Sequence, residues 1–350
     1  MRGPAHLVPG FLDGLLPARG QDDTDPKLTE LDRDLIRMLQ ADGRQSFAAL
    51  ARDLGVPEKT IRRRVNQLLD DNVIQITAVT DPALLGFPVV ALVGLHFDGT
   101  QPVRPLMASL AEVPAVDYAV ITTGRYDALV EVLCRDPAEL LSVVHDTLVR
   151  MPGVGSAEIH PYLQLHYQEP AWDSAQYKAA APVAGPAPEN PGARSGRTAL
   201  LDPVDRRIVA ELSRDGRLPF AAVAETVGIS ESQVRKRVTR MVGDRDIRIT
   251  AIADPASLGF ETQVWVAVRC RPGQGIEDLA TTLTGIPSIT YVVACAGRFD
   301  IFAEAVCRGP HDVMRLIDSE IRSLPGVERT ELLMCLDLYY RSVRPAEHTG

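Results

Sequence analysis

At 350 residues the chain is long enough for two or three domains, each with its own core. Its 37 Lys+Arg against 46 Asp+Glu leave a formal net charge of -9, which excludes indiscriminate attraction to nucleic acid or anionic membrane but not a local basic patch. No apolar run approaches the ~18–20 residues that span a bilayer, so no membrane partner is expected, and five cysteines without a C-x-x-C spacing read as reduced, buried thiols of a cytoplasmic protein.

The first 27 residues, with Pro4, Pro9, Gly10 and Gly14 breaking every apolar stretch, read as a flexible extension and not as a secretory signal. Residues 28–80 carry a helical period. Thr29 is a candidate cap for a helix with Leu31, Leu35, Met38 and Leu39 on one face, and "DGR" (42–44) ends it. A short second helix follows Ser46, with Phe47, Leu50, Ala51 and Leu54 inward, and Gly55 closes it. The third helix begins near Glu58 with "EKTIRRRVNQ". At 100° per residue Ile61, Val65 and Leu68 share one face, Lys59, Arg63 and Asn66 the opposite one, with Arg62 and Gln67 on the flanks and Arg64 at the edge of the apolar stripe. Two helices, a glycine turn and a third helix with a basic outer face make a helix-turn-helix. "IQITAVT" (74–80) then reads as an extended segment.

Residues 81–167 read strand (89–97), helix (103–112), strand (116–122), a tight "TGRYD" turn, strand (128–135), helix (137–150) and strand (156–167). That βαββαβ order predicts a ferredoxin-like α+β sandwich, helices on one face of an antiparallel sheet. The other face is left bare, so docking of two such units is expected. A Pro/Ala/Gly-rich stretch over 168–200 cannot bury a core and reads as a linker.

Beyond it the chain repeats itself. At a constant offset of 173 residues "ITAVTDPALLGF" matches "ITAIADPASLGF", and "TGRYDALVEVLCRDP" matches "AGRFDIFAEAVCRGP". Roughly a third of the aligned positions are identical without a gap, a tandem duplication. The second helix-turn-helix is placed at 201–253 and the second sandwich at 254–345, with a tail over 346–350. The basic run recurs as Arg235, Lys236 and Arg237. From Leu28 to Thr80 acids and bases roughly cancel, so positive charge in that module is concentrated on one helix, as phosphate contact requires.

A helix-turn-helix joined by an extended segment to a βαββαβ domain resembles the Lrp/AsnC ("feast/famine") family. The match is carried by "LDRDLIRMLQADGRQSFAALARDLGV", "TIRRRVNQLLDDNVI", "DPALLGF", "TGRYDALVEV" and "MPGV", twice over. The resemblance implies a transcriptional regulator, not an enzyme, whose partners are double-stranded DNA and a small-molecule effector of the amino-acid class. It also implies a homo-oligomer built from pseudo-dimeric chains. Candidate DNA contacts are Lys59, Thr60, Arg62, Arg63, Asn66 and Gln67 in the first copy, and Ser232, Gln233, Arg235, Lys236, Thr239 and Arg240 in the second. The identical Arg62/Arg235 and Arg64/Arg237 suit phosphate positioning, and the outward residues that differ suit reading different bases.

In the same family the turn between the second and third sandwich strands lies at a subunit interface and helps hold the effector. Carried over, that names Thr122, Thr123, Gly124, Arg125, Tyr126 and Asp127, and in the second copy Gly297, Arg298, Phe299 and Asp300, where Cys295 and Ala296 replace the two threonines. Read on its own, Gly-x-x-Asp is also ordinary hairpin chemistry. Cys134 and Cys307 occupy matching strand positions and read as packing residues. His160 and His166, six apart, lack the Cys or carboxylate companions of a zinc site. With no Gly-rich phosphate loop, G-x-S-x-G or nucleophile–base pair, neither a cofactor nor a catalytic residue is expected. The alternative reading is an enzyme similar to the two-domain sirohaem decarboxylases, which share the architecture. Only Trp172 and Trp265 are present, and the His- and Trp-containing runs of those enzymes are missing.

Overall fold

The computed structural model describes residues 28–168 and 200–340. The expected extension, the tail and all but the ends of the linker lie outside them. In the first helix-turn-helix, α1 (Glu30–Ala41) starts at a capping box in which Thr29 and Asp32 each bond the other's backbone N–H. α2 (Phe47–Leu54) is capped by Ser46 and ends at Gly55, whose φ of 65° a residue with a side chain rarely adopts. α3 (Glu58–Asp70) buries Ile61, Val65 and Leu68, the stripe the sequence predicts. The second copy repeats the arrangement in α6 (Pro203–Arg214), α7 (Phe220–Val227) and α8 (Glu231–Gly243). Ile36 joins Leu35 and Leu39 in the core, while Leu31 and Met38, expected on the inner stripe, are only partly buried. The numbering of helices and strands runs through both copies, so the helices between α3 and α6 belong to the first sandwich.

The extended segments of the two copies pair with each other. β1 (Ile74–Thr80) pairs antiparallel along its whole length with β6 (Ile247–Ala253), Thr77 opposite Thr250 at the centre. Around this ribbon the copies exchange contacts. Gly43 N–H donates to Ile249 O (2.9 Å) and Gly216 N–H to Ile76 O (2.7 Å). Thr77 and Thr250 hydroxyls donate to Ser213 O and Gln40 O, the carboxyl ends of α6 and α1. One apolar core therefore runs through both helix-turn-helix units.

The first sandwich contains β2 (Val89–Phe97), α4 (Val103–Ala111), β3 (Val116–Thr122), β4 (Ala128–Cys134), α5 (Pro137–Ser142) continued by a wider helical turn over Val143–Leu148, and β5 (Val154–Gln168). The second contains β7 (Thr262–Cys270), α9 (Ile276–Thr284), β8 (Ile289–Cys295), β9 (Ile301–Cys307), α10 (Pro310–Arg315) and β10 (Val327–Tyr340). Both have the ferredoxin-like order, but they are not closed units. β5 pairs with β2 and then crosses to β8; β10 pairs with β7 and crosses to β3. The eight strands close into one barrel, β10-β3-β4-β2-β5-β8-β9-β7. Helices cover the outside of each half. The faces left bare by the βαββαβ pattern meet inside, where Tyr118, Tyr126, Trp265, Tyr291, Phe299 and Phe302 pack. Cys134 and Cys307 are buried in the two outer cores, as expected of packing residues, and burial pushes their thiols up to about 12 and about 11.

Gly216 marks where the ribbon admits no side chain. A Cβ there would lie 2.9 Å from Ile76 Cγ2, Ile249 Cγ2 and Thr77 N. Gly216→Ala is expected to lower stability by about 1–3 kcal/mol through overpacking, read as a fall in the melting temperature; unchanged melting would mean that the ribbon and α6 are not pressed together in this way.

Candidate nucleic-acid interface and ligand-binding turns

On α3, Lys59, Arg62, Arg63, Asn66 and Gln67 are exposed and Thr60 half-exposed. On α8, Ser232, Gln233, Arg235, Lys236, Thr239 and Arg240 are exposed. The helical period thus brings each expected set to the outer surface of its own helix. The side chains are not equally free. Gln67 accepts from Arg64 (2.9 Å), and Arg62 and Arg235 make exposed i,i+4 pairs with Glu58 and Glu231 (2.9 and 2.7 Å), which are weakly bound in water. Gln233 closes the capping box of α8, accepting from Ser230 N–H at 3.0 Å. Arg240 is drawn to the buried carboxylate of Asp205.

Arg64 and Arg237, expected to suit phosphate, turn inward instead. Arg64 Nε donates to Asp32 Oδ1 at 2.8 Å, and Asp32 is fully buried beneath it. Arg237 bridges Asp202 and Asp205 (2.6 and 2.8 Å). Their position at the edge of the apolar stripe puts them within reach of α1 and α6, where an ion pair with a buried acid outweighs exposure. Burial alone would raise the Asp32 pKa, but the bonds from Arg64 and Thr29 bring it below the ordinary carboxylate value.

Two arginines that the sequence reading passed over join the reading heads. Arg44, in the turn after α1, donates to Gly216 O and Leu218 O of the other copy and lies 4.1 Å above the Phe220 ring. Arg217 donates to Gln45 O and lies 4.4 Å above Phe47. On the same rings stack Arg62 (4.7 Å from Phe47) and Arg235 (5.2 Å from Phe220). Four guanidiniums so converge on the seam between the copies. Burial lowers the pKa values of both Arg44 and Arg217; repulsion from Arg217 adds to it at Arg44, whereas at Arg217 the charges of Asp42 and Asp215 oppose it. The repetition of "DGR" at both positions was the available signal.

The turns after β3 and β8 sit against the opposite copy. Thr123 N–H donates to Met334 O and Ala296 N–H to Pro161 O. Gly124 (φ 94°) leaves no room for a side chain, because a Cβ would approach Leu332 O to 2.9 Å; at Gly297 it would approach His160 Nδ1 to 3.0 Å. Arg125 forms a two-pronged pair with Glu331 (2.5 and 3.1 Å), and Arg298 pairs with Glu158 at 3.2 Å. Asp127 and Asp300 each spend one carboxylate oxygen on a backbone N–H of the neighbouring strand, Phe97 and Cys270 (2.8 Å). Thr122 Oγ1 donates to Tyr126 O, and Thr123 Oγ1 accepts from Met334 N–H. Tyr126 OH reaches Glu158 and His160 Nε2 (2.8 and 2.9 Å), whereas Phe299 in its place in the second copy offers a ring without a hydroxyl, packed among apolar and aromatic neighbours with the Arg125 guanidinium 5.9 Å from its centre. The fully buried His160 has its pKa lowered to about 4 by burial. His166 is half-buried, and a shift of strand register falls between the two histidines.

Inside the barrel the strands "ALVEVLC" and "IFAEAVC" place matching carboxyls, Glu131 and Glu304, among apolar neighbours. A lone acid in an otherwise apolar strand, present in both copies, was the signal for this pair. Tyr118 OH donates to Glu304 (3.2 Å) and Tyr291 OH to Glu131 (3.1 Å), each tyrosine reaching the other copy's acid. Gln263 and Thr290 also bond Glu304, and Tyr162 bonds Glu131 at 2.5 Å. Burial pushes Glu304 up to about 7, against the bonds from Gln263, Tyr118 and Thr290 and with a further push from Glu131; burial likewise raises Glu131.

Comparisons with known proteins agree with this geometry. The profile of the AsnC-type helix-turn-helix domain matches residues 28–69 and 201–242, and that of the Lrp/AsnC ligand binding domain matches 90–172 and 263–345. An uncharacterized HTH-type transcriptional regulator of Pyrococcus abyssi is 35% identical over 133 residues, 38% of this chain and 84% of that relative. An HTH-type transcriptional regulator of Mycobacterium tuberculosis is 30% identical over 139 residues, 39% of this chain and 92% of the relative. Each relative thus corresponds to less than half of this chain. Among solved structures, the sirohaem decarboxylase NirDL aligns with 91% of this chain and 94% of its own at a TM-score of 0.62 and 15% identity, a likeness of fold alone.

The barrel acid makes stability depend on pH. A carboxyl whose folded pKa is raised stabilises the folded state fully below its unfolded value of 4.5 and loses that contribution as pH rises through about 7. The wild type is expected to lose on the order of 3 kcal/mol relative to Glu304→Gln between pH 4.5 and 8, measured by denaturant titration. Parallel pH profiles for the two proteins would show that Glu304 titrates normally. Arg64→Ala, which strands Asp32 as an unpaired buried acid, is expected to cost at least about 1–3 kcal/mol at pH 7; Arg63→Ala should leave melting unchanged.

Proposed function

The chain belongs to the Lrp/AsnC family of DNA-binding transcriptional regulators with a ligand-binding domain, and it carries two copies of the family unit. On that premise we propose that α3 and α8 contact duplex DNA together, and that an amino acid bound at the cross-copy turns of the barrel modulates the contact. The observation that carries this reading is the pairing of β1 with β6, which joins two basic helices through one apolar core with their basic faces exposed. In this reading Arg62 and Arg235, at the guanidinium-rich seam, contact phosphate. Lys59, Thr60, Arg63, Asn66 and Gln67 of the first copy, with Ser232, Gln233, Lys236, Thr239 and Arg240 of the second, face the groove.

The effector half of the proposal rests on charge matching. An α-amino acid presents a carboxylate and an ammonium group, the complement of the guanidinium–carboxylate pairs Arg125–Glu331 and Arg298–Glu158. Thr122, Thr123, Gly124, Tyr126 and Asp127 surround the first of these turns, and Gly297, Phe299 and Asp300 the second. The apolar core of the helix-turn-helix pair is continuous with Leu133 and Val306 at the ends of barrel strands, a packed route between turn and DNA. A coupling free energy of about 1–3 kcal/mol would change DNA affinity about 5–150-fold. Assembly of these pseudo-dimeric chains into a homo-oligomer is part of the same proposal, and no enzymatic step is; no observation on the site favours the decarboxylase reading.

Binding to enriched duplexes is expected to weaken with salt at a log–log slope near −5 for about six phosphates. Arg62→Ala should reduce that slope by about 1. Absence of both enrichment and salt dependence would overturn the DNA reading. For the effector, a thermal-shift screen of the twenty amino acids should find one or a few that raise the melting temperature of the wild type and not of Arg125→Ala with Arg298→Ala. A screen in which none does would remove the amino-acid assignment.

A further inference from the structure

Resting on the DNA reading above, we infer that the chain recognises an asymmetric operator whose two halves carry unequal sequence information. The first copy specifies one half closely, and the second copy binds the other half with little base discrimination. The heads cannot be exchanged. β1 and β6 consume each other along their full length within one chain, and Arg44 and Arg217 interlock the turns. Each pair of heads is therefore one first copy and one second copy, never two alike.

The two helices also present different side chains. At three matching outward positions α3 offers Lys59, Arg63 and Asn66, and α8 offers Ser232, Lys236 and Thr239. Arg63 can take guanine O6 and N7 together, and Asn66 the N6 and N7 of adenine; each such two-pronged contact discriminates bases by about 5- to 150-fold. Lys236 is a point charge without a fork, and the short Ser232 and Thr239 accept either donors or acceptors. Two further side chains of α8 are engaged within the protein. Gln233 closes the cap with Ser230, and Arg240 is held by Asp205, as its α3 counterpart Gln67 is held by Arg64. On α3 the corresponding cap is Pro57, which makes no side-chain bond, so Thr60 is not used in this way. Arg62 and Arg235 are alike in pairing and stacking, so phosphate contact is equal on the two sides while base reading is not.

The test is selection of sites from random duplex DNA with the full chain. The wild type is expected to yield two recurrent halves, one sharply and one weakly defined. Arg63→Ala with Asn66→Ala should flatten the sharp half and leave the weak half as it was. S232K/K236R/T239N, which gives α8 the outward residues of α3, should sharpen the weak half into an inverted copy of the other. These side chains are exposed, so unchanged melting of both variants is the control for folding. A wild-type site that is an evenly defined palindrome would overturn the inference, as would a triple variant whose selected site stays lopsided. Both outcomes leave DNA binding itself standing, whereas failure to enrich any sequence, with no salt dependence, would remove the reading on which the inference rests.

Discussion

Everything in this molecule depends on each copy closing what the other leaves open. A βαββαβ unit with helices on one face exposes the other face of its sheet, and the extended segment after a helix-turn-helix exposes backbone donors and acceptors along both edges. Both deficits are reduced from within the chain. The bare faces meet inside one closed barrel, which has no free edge, and the two extended segments pair as a ribbon, each covering one edge of the other. Joining the copies covalently turns a bimolecular association into an intramolecular one, so the seam forms independently of protein concentration.

The residues shared by the copies and those that differ separate along this seam. Identical pairs, Arg44 with Arg217, Tyr118 with Tyr291, Arg125 with Arg298, Glu131 with Glu304 and Glu158 with Glu331, all make bonds across it. A bond that crosses a two-fold-like seam needs its donor in one copy and its acceptor in the other, so keeping both members in both copies keeps both bonds. Among the residues that point to solvent from α3 and α8, Arg62 and Arg235 with Glu58 and Glu231 are alike, while Lys59, Arg63, Asn66 and Gln67 differ from their counterparts. The turns lie between these extremes. The backbone bonds and the arginine pairs are retained, while the positions of Tyr126 and His160 are taken by Phe299 and Leu333 in the second copy, so the Tyr126–His160 bond has no counterpart there.

Much of the fold was legible because it is local. Helix boundaries follow from Thr29, Ser46 and Gly55 in the first copy and from Asp202 and Gly228 in the second, and the inward stripe Ile61, Val65, Leu68 follows from period alone. What was not legible depends on partners distant in sequence. Period places Arg64 at the border of the buried face, but whether it meets phosphate or protein depends on Asp32, which lies on another helix and is fully buried in the fold. The outward angle of Gln233 and Arg240 is likewise a matter of period, whereas their engagement by Ser230 and Asp205 is a matter of cap geometry and of α6. The crossing of β5 and β10 between sheets appears in sequence only as strands longer than a single sandwich needs.

The acids in the barrel show how such a seam fixes its own register. Two sheets built from similar apolar strands could slide past one another at little cost in buried area, since Val, Leu and Ile are nearly interchangeable in a packed face. A carboxyl removes that freedom. Shifted by one residue, Glu131 or Glu304 would turn to the opposite side of its sheet, and shifted by two it would lose the tyrosine that reaches it from the other copy. Either slip leaves a buried polar group without its bonds, which costs about 1–3 kcal/mol for each group stranded. The same register holds Thr123 against Met334 and Ala296 against Pro161. Through β4 and β9, whose ends carry Leu133 and Val306 into the core of the helix-turn-helix pair, it is tied to the placement of the two heads. A pair of costly residues inside the barrel thus contributes to the placement of the two helix-turn-helix units, through strands whose ends reach their shared core.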